Sequence, residues 1–118
     1  MTYRITLPFP PSVNTYYRNV NGIMKISAKG RKYSEKVAFV VNNNKKMFFD
    51  SPIRIDALLY PPSAHKRDLD NFDGKAIWDS LVKSGVIYDD CLVKERYSKL
   101  CDPDKLKPRV EITINTIS

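Results

Sequence analysis

Prolines end two alternating segments of this chain, and that pattern limits the folds it can adopt. Residues 3–7 alternate between apolar and polar side chains up to Pro8, and residues 53–59 alternate up to Pro61 and Pro62. Alternation with a period of two is typical of a strand with one buried face. Proline ends such a strand because it cannot donate to the hydrogen-bond ladder. Two strands therefore end at known points, and loops or helices must follow them.

Two further segments have the period of an amphipathic helix. The first is predicted from its N-cap, Ser27, to about Lys46, and the second from about Asn71 to Ser84, with Gly85 as its C-terminal stop. Their predicted buried faces consist of Tyr33, Val37, Val40 and Val41 in the first helix and Ile77, Trp78, Leu81 and Val82 in the second.

The remaining segments complete an α+β pattern. Residues 91–101 and 109–117 are predicted as two strands joined by a turn at residues 102–104, and residues 12–25 as an ordered loop or an irregular hairpin across Asn21-Gly22. The order is β-α-β-α-β-β, without repeats or a linker. Two helices on one four-stranded mixed sheet is the economical packing of these elements. We therefore expect a two-layer α/β sandwich that forms one domain over residues 1–118.

The net charge of +7, from 20 basic and 13 acidic residues, favours a polyanionic partner such as nucleic acid. Solubility alone, or an acidic protein partner, would also account for it. No apolar targeting segment precedes the first strand, and no later segment approaches the roughly 20 apolar residues of a membrane span. We expect a cytoplasmic protein with no membrane partner.

Against this basic background the chain concentrates carboxylates at two points. Asp68 and Asp70 lie two residues apart, which in an extended segment places both side chains on one side. Two such carboxylates repel each other unless a cation lies between them, and Mg²⁺, a hard ion with oxygen ligands, suits that position. Asp89 and Asp90 follow the second helix, where the chain turns back and one of them could complete the nest. The alternative is that all four serve as caps and turn residues.

Basic residues flank the acidic run. Lys66 and Arg67 abut the aspartates, where they would steer a phosphate. Lys75 and Asp79 are spaced as an ordinary ion pair of one helix, although Lys75 also lies about one turn from Asp70 and could stabilise charge in a transition state. A second basic cluster, whose tyrosines would stack on unpaired bases or else belong to the core or a dimer contact, consists of Tyr16, Tyr17, Arg18, Lys25, Lys29, Arg31 and Lys32.

Three motifs in this order resemble those of the RusA-type Holliday-junction resolvases of phages and prophages. The first is Thr-Leu-Pro-Phe-Pro-Pro-Ser-Val-Asn-Thr-Tyr-Tyr-Arg at 6–18. The second combines Arg-Asp-Leu-Asp-Asn at 67–71 with Lys-Ala-Ile-Trp-Asp-Ser-Leu at 75–81, and the third is Asp89-Asp90 followed by Val93. The similarity runs nearly end to end, and it is specific because three motifs keep their order and similar intervals.

The resemblance implies a RusA-like fold and a Mg²⁺-dependent endonuclease, with Mn²⁺ as a substitute, that acts as a homodimer on four-way or branched DNA. It implies paired symmetric nicks that leave 5′-phosphates, a role in DNA recombination and repair, and no organic cofactor. Carried over by position, the implied residues are the metal ligands and catalytic carboxylates Asp68, Asp70 and Asp90, the catalytic lysine Lys75, and the DNA contacts Asn14, Tyr16, Arg18, Lys66, Arg67 and Asn71.

One interval departs from the family pattern. Three residues, rather than the usual two, separate Asn71 from Lys75. We expect the extra residue to be absorbed before the helix, where Gly74 supplies freedom. A helix that began at Asn71 would instead rotate Lys75 by about 100° from its expected position. Asp73, inside the interval, would add a carboxylate near the metal.

Two other functions fit parts of the same pattern. A non-catalytic, branched-DNA-binding recombination accessory protein would use the basic surface and keep the aspartates as caps and turns. A metal-dependent hydrolase acting on nucleotides or unstructured nucleic acid would use the aspartates without selecting junctions. Cleavage of a labelled four-way junction, with Mg²⁺ and then with EDTA, separates the first of these from a resolvase. Comparing junction, duplex and single strand separates the second.

Overall fold

A four-stranded mixed sheet and a separate two-stranded hairpin form the framework of the protein, whose computed structural model describes residues 1–117. The buried apolar residues of the sheet and of the helices belong to one core. The elements are β1 (Thr2–Pro8), α1 (Val13–Tyr16), β2 (Tyr17–Val20), β3 (Ile23–Ile26), α2 (Ala28–Asn42), β4 (Ile53–Tyr60), α3 (Lys75–Lys83), β5 (Val93–Leu100) and β6 (Arg109–Thr116), with 3₁₀ turns at Leu69–Asn71 and Asp90–Leu92.

The sheet has the strand order β1-β6-β4-β5. β6 lies antiparallel to both β1 and β4, whereas β5 runs parallel to β4, so the sheet is mixed as predicted. β4 alternates strictly between buried and partly exposed residues, because one face of the sheet packs into the core and the other does not. The α+β class predicted from the sequence is confirmed.

Two details of the predicted topology differ in the structure. The last two strands are not neighbours, because β4 lies between β5 and β6 and the chain crosses its end to reach β6. Residues 12–25, predicted as a loop or irregular hairpin, contain the short helix α1 and most of a regular hairpin across Asn21-Gly22. Both central residues of that turn have positive φ, 54° and 80°, which an Asn-Gly pair tolerates well. Residues 1–117 therefore contain three α-helices rather than two.

The helix α2 begins where the sequence predicts and ends about four residues early. The Ser27 hydroxyl accepts a hydrogen bond from the Gly30 N–H at 3.0 Å, which is the predicted N-cap. The side-chain amides of Asn43 and Asn44 donate to the carbonyls of Phe39 and Val40, so they satisfy the end of the helix and terminate it. Periodicity alone does not locate such a side-chain cap.

Gly30 is required by a close approach rather than by its backbone angles. A Cβ at this position would collide with the carbonyl oxygen of Tyr16. Ser27 lies at the same contact, where its N–H donates to the Tyr16 carbonyl at 2.9 Å. The start of α2 is therefore packed directly on the backbone that connects α1 to β2.

The helix α3 is shorter than predicted at its start and stops at the predicted glycine. It begins at Lys75, after the 3₁₀ turn and three intervening residues, so the extra residue is absorbed before the helix. At its end Gly85 has φ +82° and its N–H donates to the Val82 carbonyl, while Val86 N–H donates to Leu81. These two bonds form a Schellman motif, which redirects the chain toward Asp89 and Asp90.

No helix within residues 1–117 is long and apolar enough to cross a membrane.

Candidate functional site

The two acidic segments adjoin opposite ends of the parallel strands β4 and β5: residues 68–70 follow the end of β4, and residues 89–90 precede the start of β5. In the parallel pair, Ile53 lies opposite Val93 and Leu59 opposite Leu100, so the end of β4 and the start of β5 are far apart. Residues 61–74 return along the exposed edge of β5, and the 3₁₀ turn at Leu69–Asn71 packs against that strand. The loop thereby covers a strand edge that would otherwise be open.

The half-buried side chain of Arg67 anchors this loop. Its guanidinium lies over the rings of Phe9 and Phe72, with its Cζ 5.7 and 5.9 Å from the two ring centroids. It also donates to the carbonyls of Ser63 and His65, at 2.8 and 3.2 Å. A guanidinium flanked by two rings and bonded to two carbonyls is committed to the fold. Arg67 therefore also positions the neighbouring aspartates, and because its side chain is only half-buried, its predicted contact with DNA stays a prediction.

Asp68 and Asp70 are presented to solvent by this anchored loop. Both side chains are exposed, and within residues 1–117 neither takes part in a salt bridge or a side-chain hydrogen bond. The helical-cap alternative does not apply to Asp68: it occupies the N-cap position of the 3₁₀ turn without bonding to it. Two unneutralised carboxylates on a basic protein are the groups that a hard cation would bind.

Asp73, the extra carboxylate of the loop, has a different environment. It is only 5% exposed, and its Oδ2 lies 3.2 Å from Nη1 of Arg96 on β5. A buried carboxylate requires such a partner, because an unpaired charge in the interior is costly. Asp73 is therefore a strut between the loop and the sheet, and the expectation that it adds a carboxylate to a metal site is not supported by its position.

Lys75 faces the second acidic segment rather than its own helix. Its Nζ lies 3.7 Å from Oδ2 of Asp90. The predicted pairing of Lys75 with Asp79 is wrong, because Asp79 instead accepts from Lys83 across one helical turn at 3.1 Å. Both partners of the Lys75–Asp90 pair are substantially exposed, so the pair contributes little to stability. Its significance is geometric: the lysine and the returning aspartate lie at one place.

A buried hydroxyl holds Asp79 from the other side. The Tyr16 hydroxyl donates to Oδ2 of Asp79 at 2.5 Å and lies 2.8 Å from Oγ of Ser34. Burial, together with the bond to the carboxylate, raises the pKa of Tyr16 to about 12. Its ring is completely buried, so Tyr16 takes the core position that the sequence left open. The prediction that Tyr16 contacts DNA is corrected accordingly.

Tyr17 connects the hairpin with this group of charges. Its ring packs edge-on against that of Tyr16, with centroids 4.8 Å apart. Burial raises the pKa of Tyr17, and the negative charges of Asp79 and Asp90 raise it further. A charge effect from both carboxylates places Tyr17 near α3 and the returning acidic segment together. The site therefore extends from the start of α3 to the base of the β2–β3 hairpin.

Asp89 and Asp90 have different tasks. The Asp89 carboxylate accepts the N–H of Cys91 at 2.9 Å and caps the 3₁₀ turn, and this bond lowers the pKa of Asp89. The segment before them is fixed because Phe49 and residues 86–88 exchange backbone hydrogen bonds of 2.8 Å. Asp89 is thus the cap, and Asp90 is the member of the pair that is directed at Lys75.

Carboxylate oxygens are the donors that Mg²⁺ and Mn²⁺ prefer, so the chemistry of Asp68, Asp70 and Asp90 fits such an ion. Their positions are more open than a closed ligand cluster. Among residues 1–117, no three His, Cys, Asp or Glu side chains are grouped closely enough to hold a metal. The donors therefore match a divalent cation, while the geometry does not by itself form a completed site.

The other predicted DNA contacts lie at the surface. Asn14, Arg18 and Lys66 are exposed and Asn71 is partly exposed. A surface concavity of about 650 Å³ lies over the open face of the sheet, and none of the aspartates implied as metal ligands lines it. Contact with the DNA backbone depends on exposed basic and polar side chains rather than on an enclosed cavity, so this concavity carries no assigned function.

Sequence reasoning missed Arg96 as a partner and undervalued Asp79. Nothing local marks either residue: Arg96 lies in a run of exposed strand residues, and the tyrosine that binds Asp79 is 63 residues away in the chain. Burial of Asp73 was the feature from which its need for a partner could have been inferred. Asp73 lies between the partly buried Phe72 and a helix with a buried apolar face, so it needed a cation from elsewhere in the fold.

Comparisons with known proteins show the family of the chain. The family described as Endodeoxyribonuclease RusA matches residues 8–115, and the chain belongs to this family. Similar proteins named Crossover junction endodeoxyribonuclease RusA occur in Escherichia coli K12 and in enterobacteria phage 82. Each is 39% identical over 114 residues, which are 96% of this chain and 93% of the relative. The protein of that name from Escherichia coli O139:H28 is 38% identical over 117 residues, or 98% and 96% of the two chains.

Proposed function

We propose that this protein is an endodeoxyribonuclease that resolves Holliday junctions and related branched DNA in recombination and repair. The observation that carries the proposal is the 39% identity to crossover junction endodeoxyribonucleases across 93% of their length. The site supports it with exposed carboxylates at Asp68 and Asp70 beside a Lys75–Asp90 pair on a chain of net charge +7. A basic surface attracts the phosphates, and the carboxylates lie where a cation would have to join them.

The proposed cofactor is Mg²⁺, for which Mn²⁺ can substitute, held by Asp68, Asp70 and Asp90. When bound, such an ion supplies positive charge that activates water and offsets the charge developing on a phosphodiester. The three carboxylates come from two segments, so they have to converge when the ion and the DNA backbone bind. All three side chains are exposed, so no packing contact has to break before they turn toward an ion.

The chain's own residues would provide position and affinity. Arg67 keeps the Asp68–Asp70 segment against Phe9 and Phe72, and Lys75 orients the Asp90 carboxylate. Lys75 can also place its ammonium near a non-bridging phosphate oxygen once a phosphodiester enters. The proposed backbone contacts are Asn14, Arg18, Lys66 and Asn71.

We further propose that the protein acts as a homodimer that makes two symmetric nicks and leaves 5′-phosphates. A junction has a two-fold axis, and two identical sites related by such an axis would meet strands of like polarity. A single domain of 118 residues has one carboxylate site of this kind, so the second cut requires a second copy. The support for these details is the family relationship, and they are tested with the cleavage itself.

One experiment tests the function. A four-way junction, a linear duplex of the same sequence and a single strand, each 5′-labelled, are incubated with the protein in Mg²⁺ and then in EDTA. Cleavage of the junction alone, in Mg²⁺ alone, supports a junction resolvase. Equal cleavage of all three substrates would indicate a general metal-dependent hydrolase. Tight junction binding without cleavage in either Mg²⁺ or Mn²⁺ would indicate an accessory DNA-binding protein.

A further inference from the structure

The β2–β3 hairpin stands apart from the main sheet. Its strands pair only with each other over Tyr17–Val20 and Ile23–Ile26, and the Asn21-Gly22 turn joins them. The side-chain oxygen of Asn19 accepts from the Gly22 N–H at 2.8 Å, which stiffens the turn. A tight two-residue turn has little freedom, so the tip is a rigid projection rather than a loose loop.

The tip carries large apolar side chains that the described chain does not cover. Ile23 is 60% exposed and Met24 is 62% exposed. Neighbouring residues of a strand point to opposite faces, so exposure of both means that neither face of the tip packs on residues 1–117. Isoleucine and methionine at a rigid tip are unfavourable in water unless a partner covers them.

Behind the tip lies an uncompensated pair of positive charges. Arg18 is the direct cross-strand partner of Lys25, and Val20 is the partner of Ile23 on the same face. Like charges placed directly opposite each other destabilise a hairpin. Within residues 1–117 neither Arg18 nor Lys25 forms a salt bridge, so the repulsion is not relieved by an acidic neighbour. A phosphate between the two side chains would relieve it.

The base of the hairpin lies at the candidate catalytic site. Tyr17, the first residue of β2, packs on Tyr16, whose hydroxyl is bonded to Asp79. Val20 at the tip lies three residues after Tyr17 along the strand, a distance of about 10 Å. The apolar tip therefore extends beyond the tyrosine pair that contacts α3, the helix whose first residue, Lys75, pairs with Asp90.

We propose that residues 18–25 of this hairpin recognise the branch point of the DNA. Arg18 and Lys25 hold one phosphate between them, and Ile23 and Met24 lie against bases that are unstacked at the crossing. The inference rests on the proposed function and adds the element that selects the substrate. Apolar side chains that contact opened base steps recur in DNA-distorting proteins. A linear duplex keeps its bases stacked and offers no such surface, so the contact favours branched DNA.

The test variant removes the exposed apolar side chains of the hairpin tip and keeps its positive charge and its preference for β-strand structure. In Ile23→Thr/Met24→Thr both replacements suit a strand and neither contacts the core. The matched control is Leu106→Thr, because Leu106 is 96% exposed and lies in the connection before β6. Affinity for a four-way junction and for a linear duplex is measured at one salt concentration, with 2-aminopurine at the branch reporting unstacking. Circular dichroism and thermal unfolding check that each variant is folded.

We expect the double variant to lose about tenfold or more of its junction preference while duplex affinity stays within about twofold. The 2-aminopurine signal should fall toward that of the free junction, and the control should behave like the wild type. An unchanged preference in the double variant overturns the proposal. Loss of self-association in sedimentation velocity also overturns it, because the tip would then contact a second copy. If the wild type itself does not prefer junctions, the proposed function fails instead.

Discussion

The ammonium of Lys75 lies 3.7 Å from the Asp90 carboxylate, joining the first residue of α3 to the acidic segment that follows the helix. The contact is possible because the Schellman motif at Gly85 turns the chain back beside α3. It also shows that the residue inserted before Lys75 does not displace this side chain from the acidic segment. Lys75 is therefore positioned both to orient Asp90 and to reach a phosphate bound there.

Replacing Lys75 with methionine should slow cleavage more than it weakens binding. We expect the single-turnover rate on a junction to fall by about 100-fold, the usual effect of losing one transition-state charge contact. Junction affinity should fall by less than about tenfold, since one phosphate contact at most is lost. Lys36→Met is the control, because Lys36 is an exposed helix lysine that forms no ion pair within residues 1–117. Equal effects of the two substitutions would remove Lys75 from the site.

Asp70→Asn should abolish cleavage and leave junction binding intact or tighter. The change keeps the shape of the side chain, removes a metal-binding oxygen charge and reduces repulsion of the DNA backbone. Rate and affinity are measured separately, by single-turnover cleavage and by a binding titration in Ca²⁺ or EDTA. Asp102→Asn makes the same chemical change at an exposed position between β5 and β6 and should leave cleavage unchanged. A folded Asp70→Asn protein that no longer binds would contradict the assignment.

The Asp73–Arg96 pair predicts an asymmetric loss of stability. Arg96→Met leaves the 5%-exposed Asp73 carboxylate without its cation and should lower the free energy of unfolding by about 2 kcal/mol. Asp73→Asn removes the buried charge and leaves a half-exposed guanidinium that water can solvate, so it should cost less. Urea unfolding of both variants and of their double mutant measures the coupling. Equal losses would mean that packing rather than charge holds the loop on β5.

Tyr16→Phe should alter the alkaline limb of the stability curve. The pKa of Tyr16 is raised from 10.0 to about 12, so the unfolded chain loses this proton first as pH rises. The contribution is complete below pH 10 and is lost as pH rises toward about 12, which makes wild-type stability decline across that interval. The variant should be less stable at pH 7 by about 1–2 kcal/mol, because a hydrogen bond to a carboxylate is lost. The stability of the variant should also decline less steeply with pH above pH 10. An identical slope of stability against pH in the two proteins would contradict the role of the buried hydroxyl.

Junction affinity should fall steeply with salt, by orders of magnitude between low and moderate concentrations, because several phosphates are contacted. Lys66→Ala should reduce the slope of log affinity against log salt by about one. Arg54→Ala should not, because Arg54 is paired with Asp56 at 2.8 Å on the main sheet. A flat salt response of the wild type would contradict the basic-surface argument.

Local rules predicted most of the fold. These rules depend on neighbouring residues, so they can be read from the sequence. They are the proline stops, the strand and helix periods, the Ser27 N-cap and the Gly85 stop. The start of α3 was predicted too early, because a contact distant in sequence is involved. Asp73 pairs with Arg96 on β5, and the helix begins two residues later, at Lys75. The hairpin was left undecided because two isolated strands have only a weak periodic signal.

The candidate site divides in the same way. The acidic motifs could be found in the sequence, because they are compact. The roles of Arg67 and Tyr16 could not be found, because their partners come from distant segments of the chain. Phe9, which contacts Arg67, precedes α1, and Asp79 is 63 residues from Tyr16. A basic or aromatic residue beside a carboxylate motif has the same local appearance whether it binds DNA or braces the loop.

The absorbed residue between the 3₁₀ turn and α3 has a consequence for variation in this region. Arg67 anchors the chain before the interval, the Asp73–Arg96 pair holds the interval itself on β5, and the Tyr16–Asp79 bond anchors the helix after it. The alignment of the site is thus maintained laterally, by the elements that pack beside it. A change of length here should therefore be tolerated where Phe72 and Asp73 keep their partners, which leaves Gly74 as the position that can absorb it.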